Sequence, residues 1–134
     1  MKARIVAGAL TGALCLVAGW SLAGTATAGE GPTTIGLRNG ASEFSFALSR
    51  TKVAPGSALI QYTNTGEDPH DVLIQRNGSD DVVAIGETPP GEVNAFPVMK
   101  LKAKSKYTLW CSLKGHREAG MEAELKVKKK RKRN

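Results

Sequence analysis

The feature that most restricts the fold is a series of short runs in which apolar and polar residues alternate, each ending at turn-forming residues. In Glu43–Ser49, Phe44, Phe46 and Leu48 fall on one face, whereas Glu43 and three small residues fall on the other. This period of two is typical of a strand with one face in the core. The predicted strands are Thr33–Arg38, Glu43–Ser49, Ser57–Thr63, His70–Arg76, Asp81–Gly86, Val93–Leu101, Lys106–Cys111 and Met121–Val127. Seven or eight short strands favour an all-β fold of two packed sheets.

The length limits the chain to one compact domain. A chain of 134 residues is too short for a multidomain enzyme. Aromatic residues make up only 5% and glycine is frequent with 15 residues, so the core is expected to rest on aliphatic side chains with many turns between strands. Pro97 interrupts the run Val93–Leu101 and predicts that this strand lies at a sheet edge.

The N-terminal segment predicts export. Lys2 and Arg4 precede the uncharged apolar stretch 5–24, and Ala26 and Ala28 supply the small residues that a signal peptidase accepts. We expect residues 1–28 to be a signal peptide that is cleaved after Ala28, which places the mature protein in the periplasm or cell envelope, or outside the cell. A retained anchor is the alternative, because about twenty apolar residues are long enough to span a bilayer.

The net charge of +7 is concentrated at the two ends of the chain. The predicted C-terminal tail, residues 128–134, is almost entirely basic. Residues 126–134 hold seven cations, and without these and the two N-terminal cations the body carries about −2. The predicted domain, residues 29–127, is therefore not expected to bind nucleic acid. The tail has two interpretations, a solvated end or a contact with anionic lipid or cell-wall polymer.

The cysteine count directs attention to one thiol. Cleavage would remove Cys15 and leave Cys111 as the single cysteine, so that no internal disulfide is possible. A lone thiol outside the cytoplasm is open to oxidation unless it is buried or bound. A buried core cysteine remains the alternative.

Three residues of types that are rare in this chain accompany that thiol in the sequence. Both histidines, His70 and His116, and one of the methionines, Met121, fall with Cys111 into two short segments. Strand parity places His70, Cys111 and Met121 on the apolar faces of their strands, so all three point inward. We therefore identify these four residues as candidate metal ligands.

The types of ligand discriminate between metals. One thiolate, two imidazoles and a weak thioether match the trigonal arrangement with a long axial methionine that is diagnostic of type 1, or blue, copper. Zinc is the competitor, but a thioether is a poor zinc ligand and structural zinc sites carry more Cys or His.

The pattern His70 … Cys111-x₄-His116-x₄-Met121, with a strand before the cysteine and Gly115 before the second histidine, resembles the small cupredoxins, the relatives of plastocyanin and azurin. The resemblance extends over about Phe44–Val127. It implies a Greek-key β-sandwich with one copper ion near one end, held by His70, Cys111, His116 and, axially, Met121. Asp71 stands where the family pattern has Asn, and we expect it to brace the ligand loop.

The resemblance implies a one-electron carrier between redox partner proteins. With the predicted signal peptide it would act outside the cytoplasm, and we expect it to be a monomer. Electrons are expected to leave through the edge of His116, near which Lys114 and Arg117 would steer a partner with an acidic rim. Copper delivery or storage is the alternative function. An enzyme is not expected, because two histidines cannot supply the further centres of copper oxidases, and a Cys–His hydrolase would lack a third orienting group and leave Met121 unexplained.

Overall fold

A computed structural model of the protein describes residues 31–130. The predicted signal peptide, Cys15 and the end of the predicted tail lie outside these residues. Within residues 31–130 no helix has the length and apolar character needed to cross a membrane. The strands of the described part are β1 Thr33–Asn39, β2 Phe46–Leu48, β3 Lys52–Val53, β4 Gly56–Thr63, β5 His70–Arg76, β6 Val82–Thr88, β7 Val93–Ala95, β8 Met99–Leu101, β9 Lys106–Trp110 and β10 Glu122–Val127.

The strands form two mixed sheets. The first has the order β2-β1-β4-β7, with β8 pairing with another part of β4, and the second has the order β3-β10-β9-β5-β6. The pairs β1/β4 and β3/β10 are parallel, and the other pairs are antiparallel. The predicted all-β sandwich is therefore confirmed.

The core lies between the two sheets and follows the alternation in the sequence. Ile60 and Tyr62 of β4 meet Ile74 of β5, Leu109 of β9 and Leu125 of β10 in one apolar cluster. Each of these side chains is buried, whereas their neighbours along the strands are mostly exposed or half-buried. The hydrophobic contribution to folding thus comes from aliphatic side chains that line the inner faces of both sheets.

The described part has ten strands instead of the seven or eight predicted, and two local effects explain the difference. The predicted strand Val93–Leu101 is divided into β7 and β8 around Pro97, which has no N–H to donate to a ladder. Between the two strands, the backbone N–H of Phe96 donates to the carbonyl of Ile60 over 3.0 Å. Strand β3 has only two residues, which is too short for any alternation to reveal it.

The prediction for Glu43–Ser49 is wrong in its first half. Strand β2 contains only Phe46–Leu48, and the residues before it form a turn in which the N–H of Gly40 donates to the carbonyl of Ser45. Glu43 and Phe44 therefore do not follow the alternation of the strand. Their side chains reach the candidate site instead, where Glu43 accepts several hydrogen bonds.

The registers of β5, β9 and β10 determine where the candidate ligands meet. Trp110 of β9 lies opposite Leu73 of β5 on one side and opposite Glu122 of β10 on the other. Because both pairings are antiparallel, the beginning of β5, the end of β9 and the beginning of β10 lie side by side. We call this end of the sandwich the site end, since it carries His70, Cys111 and Met121.

Candidate metal centre

Three donor atoms of the predicted ligand set are clustered at the site end. The Sγ atom of Cys111 lies 3.4 Å from Nδ1 of His116, and this atom lies 3.1 Å from Nδ1 of His70. Ligand atoms of all three residues lie within 4.8 Å of one another. His70 and Cys111 are fully buried, whereas His116 is partly exposed. The geometry is that of one small pocket for a single ion, open to the surface on the side of His116.

The pairing of β5 with β6 is irregular beside His70. The neighbour of His70 across the sheet is Thr88, but the register shifts between His70 and Val72, and the extra residue is in β6. Bulges re-aim side chains and are common beside functional sites. His70 is the first residue of β5, and its side chain points inward like those of Val72 and Ile74.

The loop from Ser112 to Gly120 carries His116 and is folded tightly on itself. The N–H of His116 donates to the carbonyl of Leu113 over 3.0 Å, and the N–H of Ala119 donates to that of Gly115. Gly115 has a φ of 83° and Gly120 one of 110°, backbone conformations that a side chain would disfavour. These turns place the imidazole of His116 opposite the thiol of Cys111.

Met121 is buried next to this loop. Its carbonyl accepts the N–H of Cys111 over 3.1 Å, and its own N–H donates to the carbonyl of His116 over 3.0 Å. The side chain is fully buried on the same face as Leu125. The structure therefore brings all four predicted residues to one place, and their role as metal ligands remains a prediction.

Sequence reasoning missed Glu43, which holds the outer nitrogen of His70. Its Oε1 lies 2.6 Å from Nε2 of His70 and accepts the N–H of Asp68 over 3.0 Å, while Oε2 accepts the N–H of Glu67 over 2.9 Å. A Cβ atom at Gly66 would collide with both carboxylate oxygens, so the close approach requires glycine there. A carboxylate on the outer nitrogen of a ligating histidine fixes the tautomer and the ring orientation and raises its basicity.

Hydrogen bonding keeps Glu43 ionised. The backbone N–H of Asp68 is the main cause that lowers its pKa, and the N–H of Glu67 and the imidazole of His70 act in the same direction. No signal in the sequence pointed to this residue, because it lies 27 positions before His70 and is the polar member of an apparent strand alternation.

Asp71 connects β5 to the ligand loop. One of its carboxylate oxygens accepts the backbone N–H of Ser112 over 2.6 Å, and the other accepts the hydroxyl of the same residue. Ser112 directly follows Cys111, so these two bonds hold the end of β9 against the beginning of β5. This contact is the bracing expected of Asp71.

Phe44 covers the two imidazoles. Its ring centroid lies 4.8 Å from that of His116 and 6.3 Å from that of His70, in both cases in an edge-on arrangement. An aromatic side chain in this position adds apolar contact and excludes water from the donor atoms.

Burial raises the pKa of the Cys111 thiol to about 11, against a smaller opposite effect of the backbone N–H groups of Leu113 and Asp71. At neutral pH the metal-free side chain is therefore a thiol, which is protected from oxidation by its burial. A metal ion displaces the thiol proton, so metal affinity falls as the pH is lowered.

The donor chemistry fits type 1 copper. A buried sulfur, two Nδ1 atoms and a neighbouring buried thioether constitute the His₂Cys set with an additional Met that copper prefers. The carboxylate of Glu43 is bound to the far nitrogen of His70, so it supports the set instead of adding an oxygen ligand. A zinc site would be expected to have more Cys or His among its ligands.

Comparison with known proteins gives no match by sequence. No family model matches the chain, and no curated protein matches it. Similarity is found only among solved structures.

Auracyanin from the photosynthetic bacterium Roseiflexus castenholzii is 17% identical with a TM-score of 0.59, and the match covers 72% of this chain and 98% of that one. Auracyanin A from Chloroflexus aurantiacus, described as a "blue" copper protein, is 17% identical with a TM-score of 0.57 and coverages of 72% and 99%. Rusticyanin from Thiobacillus ferrooxidans is 19% identical with a TM-score of 0.57 and coverages of 73% and 79%.

These similarities define the class of fold. The chain has the β-sandwich fold of the cupredoxins, with ten short strands in two mixed sheets. The resemblance predicted from the ligand pattern is thus confirmed at the level of the fold, and the site end offers a donor set that fits type 1 copper.

Proposed function

We propose that the protein is a type 1 copper protein that carries single electrons between redox partners. The observation that carries this proposal is the convergence of the Cys111 sulfur and two Nδ1 atoms in one buried pocket, with Met121 buried beside them. The cupredoxin fold supports it, since a solved structure of the same fold, auracyanin A, is a "blue" copper protein.

Each side chain has a distinct role in this proposal. Copper bound at the site supplies a one-electron couple between Cu(I) and Cu(II). Cys111 contributes the soft thiolate, His70 and His116 contribute the imidazoles, and Met121 contributes a weak thioether that adjusts the reduction potential. The sandwich and the hydrogen-bonded loop hold these donors in place, so little reorganisation accompanies a change of charge.

His116 is the proposed point of contact with the partner. It is the only one of the two imidazoles that reaches the surface of the described part, since His70 is fully buried. Pro69, which precedes His70, and Ala119 of the same loop are exposed and add apolar surface at this end. An electron would enter and leave through this ring, whereas the carboxylate of Glu43 keeps the other ring fixed.

The charge around His116 is different from that predicted from Lys114 and Arg117. The guanidinium of Arg117 is paired with Glu122 over 2.7 Å and lies 4.6 Å from the centre of the Trp110 ring. It is therefore less effective in steering a partner with an acidic rim, and Lys114 is the remaining cation of the loop. The proposed carrier acts as an exported monomer, and its donor and acceptor are unidentified proteins.

Copper binding and retention test the proposal. Titration of the chain starting at Gly29 with Cu(II) is expected to give one copper per chain and an intense blue or green thiolate band that disappears reversibly on reduction. A colourless protein that binds only Zn(II) would contradict it. Mixing the loaded protein with a copper-free acceptor then separates two functions: a carrier keeps its ion, whereas rapid release would favour copper delivery.

Replacement of Met121 with Leu is expected to keep the colour and raise the reduction potential. Leucine has a similar size and apolar character, so packing is largely preserved, but the weak donor that favours Cu(II) is lost. Voltammetry of both proteins measures the difference. Replacement of Met99, which is half-buried at the edge of the core, with Leu is the matched control and should leave the potential unchanged. An unchanged potential in Met121→Leu would show that the thioether is not a ligand.

A further inference from the structure

All lysines of the described residues except Lys114 are gathered at the end of the sandwich opposite the candidate metal centre. They belong to residues 100–106 and 126–130, together with Lys52, and all of them are exposed. The register places Lys126 opposite Lys52 on one side and opposite Lys106 on the other. We call this group the lysine pole.

Backbone hydrogen bonds tie the first residues of the basic tail to the same surface. The N–H of Lys128 donates to the carbonyl of Val53 over 2.9 Å, and the carbonyl of Lys128 accepts the N–H of Lys104 over 3.2 Å. The described part of the predicted tail, residues 128–130, thus begins on the lysine pole.

Few carboxylates oppose this charge. Glu124 lies 3.4 Å from the ammonium of Lys106 and 3.2 Å from that of Lys126, and these ion pairs are exposed. Asp80 and Asp81 follow the turn at the end of β5 and stand at the rim. The pole therefore retains a large excess of positive charge.

The opposite end has the reverse sign. The carboxylates of residues 67–71, 87–92 and 118–122, together with Glu43, surround the site end, where the cations are Arg38, Lys114 and Arg117. The charge of the body, which is close to zero in sum, is thus divided into a basic pole and an acidic site end. A molecule of this kind takes a defined orientation in front of a charged plane.

The backbone conformation of Lys104 is a second, independent observation in favour of a role for the positive charge of the lysine pole. Lys104 has a φ of 58°, and it is the one residue other than glycine with a positive φ in the part of the chain that the structure describes. This backbone conformation is unfavourable for a residue with a side chain. A glycine would avoid the cost, but it would remove an ammonium group from the middle of the pole.

From these observations we infer that the lysine pole is a docking surface for a membrane that contains anionic lipids, with the metal centre facing away from the bilayer. Lysine ammonium groups act as point charges on phosphate headgroups, each adding to the attraction near the surface. The carboxylates of the site end are repelled by the same plane. The inference does not depend on which ion the metal centre holds.

The chemistry of the pole favours a lipid surface over nucleic acid. Exposed aromatic rings for base stacking are not found among the described residues of the pole, where Tyr107 is buried and its hydroxyl accepts the N–H of Lys102. The small apolar side chains there, such as Pro55 and Ala103, are compatible with the headgroup region. The lysines come from β3, β8, β9 and β10, so the positive charge is spread over this whole end of the sandwich, as contact with a plane requires.

Vesicle sedimentation tests the inference with the chain starting at Gly29, which retains every described strand. Vesicles of phosphatidylglycerol and phosphatidylcholine should bind the protein, vesicles of phosphatidylcholine alone should not, and about 1 M salt should release it. The variant Lys102→Gln/Lys104→Gln should reduce partitioning about 25-fold, that is, about fivefold per lysine. The control Arg38→Gln/Lys114→Gln removes the same charge from the site end and should change partitioning less than about twofold.

Orientation is measured through Trp110, which lies at the site end and is the single tryptophan of the chain that starts at Gly29. Its fluorescence should not be quenched by brominated lipids while the protein is bound. Four results would each overturn the inference: equal losses in both variants, quenching of Trp110, binding to soluble polyphosphate without binding to vesicles, or complete loss of binding in a chain that ends at Lys130, which would assign the attraction to the tail alone.

Discussion

The variant Cys111→Ser is expected to lose the intense thiolate-to-copper band completely. The colour requires a covalent bond between copper and a thiolate sulfur. Cys111 is the one cysteine among the described residues, and its Sγ lies 3.4 Å from Nδ1 of His116. A hydroxyl is a hard and weak donor by comparison. Copper affinity should therefore fall by more than the roughly 10–100-fold that the loss of a supporting hydrogen bond costs. Absorption spectra and a competitive copper titration measure the two effects.

Folding of this variant has to be measured in parallel. The thiol is fully buried, so a hydroxyl in its place costs about 1–3 kcal/mol unless it finds a hydrogen-bond partner. Thermal unfolding of the metal-free proteins provides this control. If the folded variant kept the colour and the affinity of the parent protein, Cys111 would be a plain core residue and the proposed metal site would be wrong.

The variant Glu43→Gln is expected to weaken copper binding by about 10–100-fold and to raise the reduction potential. A glutamine has one amide oxygen, whereas the carboxylate of Glu43 accepts bonds from Asp68, Glu67 and His70. One of these donors therefore faces an NH₂ group and loses its acceptor. The potential rises because removing a negative charge near the ion disfavours the more highly charged Cu(II). Voltammetry and titration with Cu(I) and Cu(II) chelators measure both changes.

The matched control is Glu122→Gln. It removes the same charge from the same end of the molecule, but Glu122 is paired with Arg117 and is not in contact with His70. We expect its potential and affinity to stay close to those of the parent protein. Equal behaviour of the two variants would show that Glu43 acts only through general charge and does not position His70.

The ligand set could be predicted from the sequence because two local signals coincide. His70, Cys111, His116 and Met121 are of residue types that are rare in this chain, and strand parity gives the direction of three of them. Parity is correct in β5 and β10, as the burial of Val72 and Leu125 shows. The fold followed from the same alternation, apart from short strands such as β3.

Glu43 and the lysine pole could not be predicted because they depend on contacts between distant segments. The alternation in Glu43–Ser49 continues through a turn, so it gave a wrong direction for Glu43, whose partners lie 24–27 residues further on. The net charge of the sequence does not reveal the lysine pole, because positive and negative charges cancel in the sum although the fold places them at opposite ends. Only the pairing of Lys52 with β10 and the turn around Lys104 bring the basic residues together.

The length of β9 has a consequence for the choice of redox partner. This strand runs from Lys106 in the basic surface to Trp110 beside the metal centre, and five residues of extended chain span about 17 Å. On a membrane, the protein would hold its copper at roughly this height above the headgroups. Oxidants and reductants dissolved in the hydrocarbon layer would be out of reach, so electrons would pass to and from domains that project into the aqueous phase.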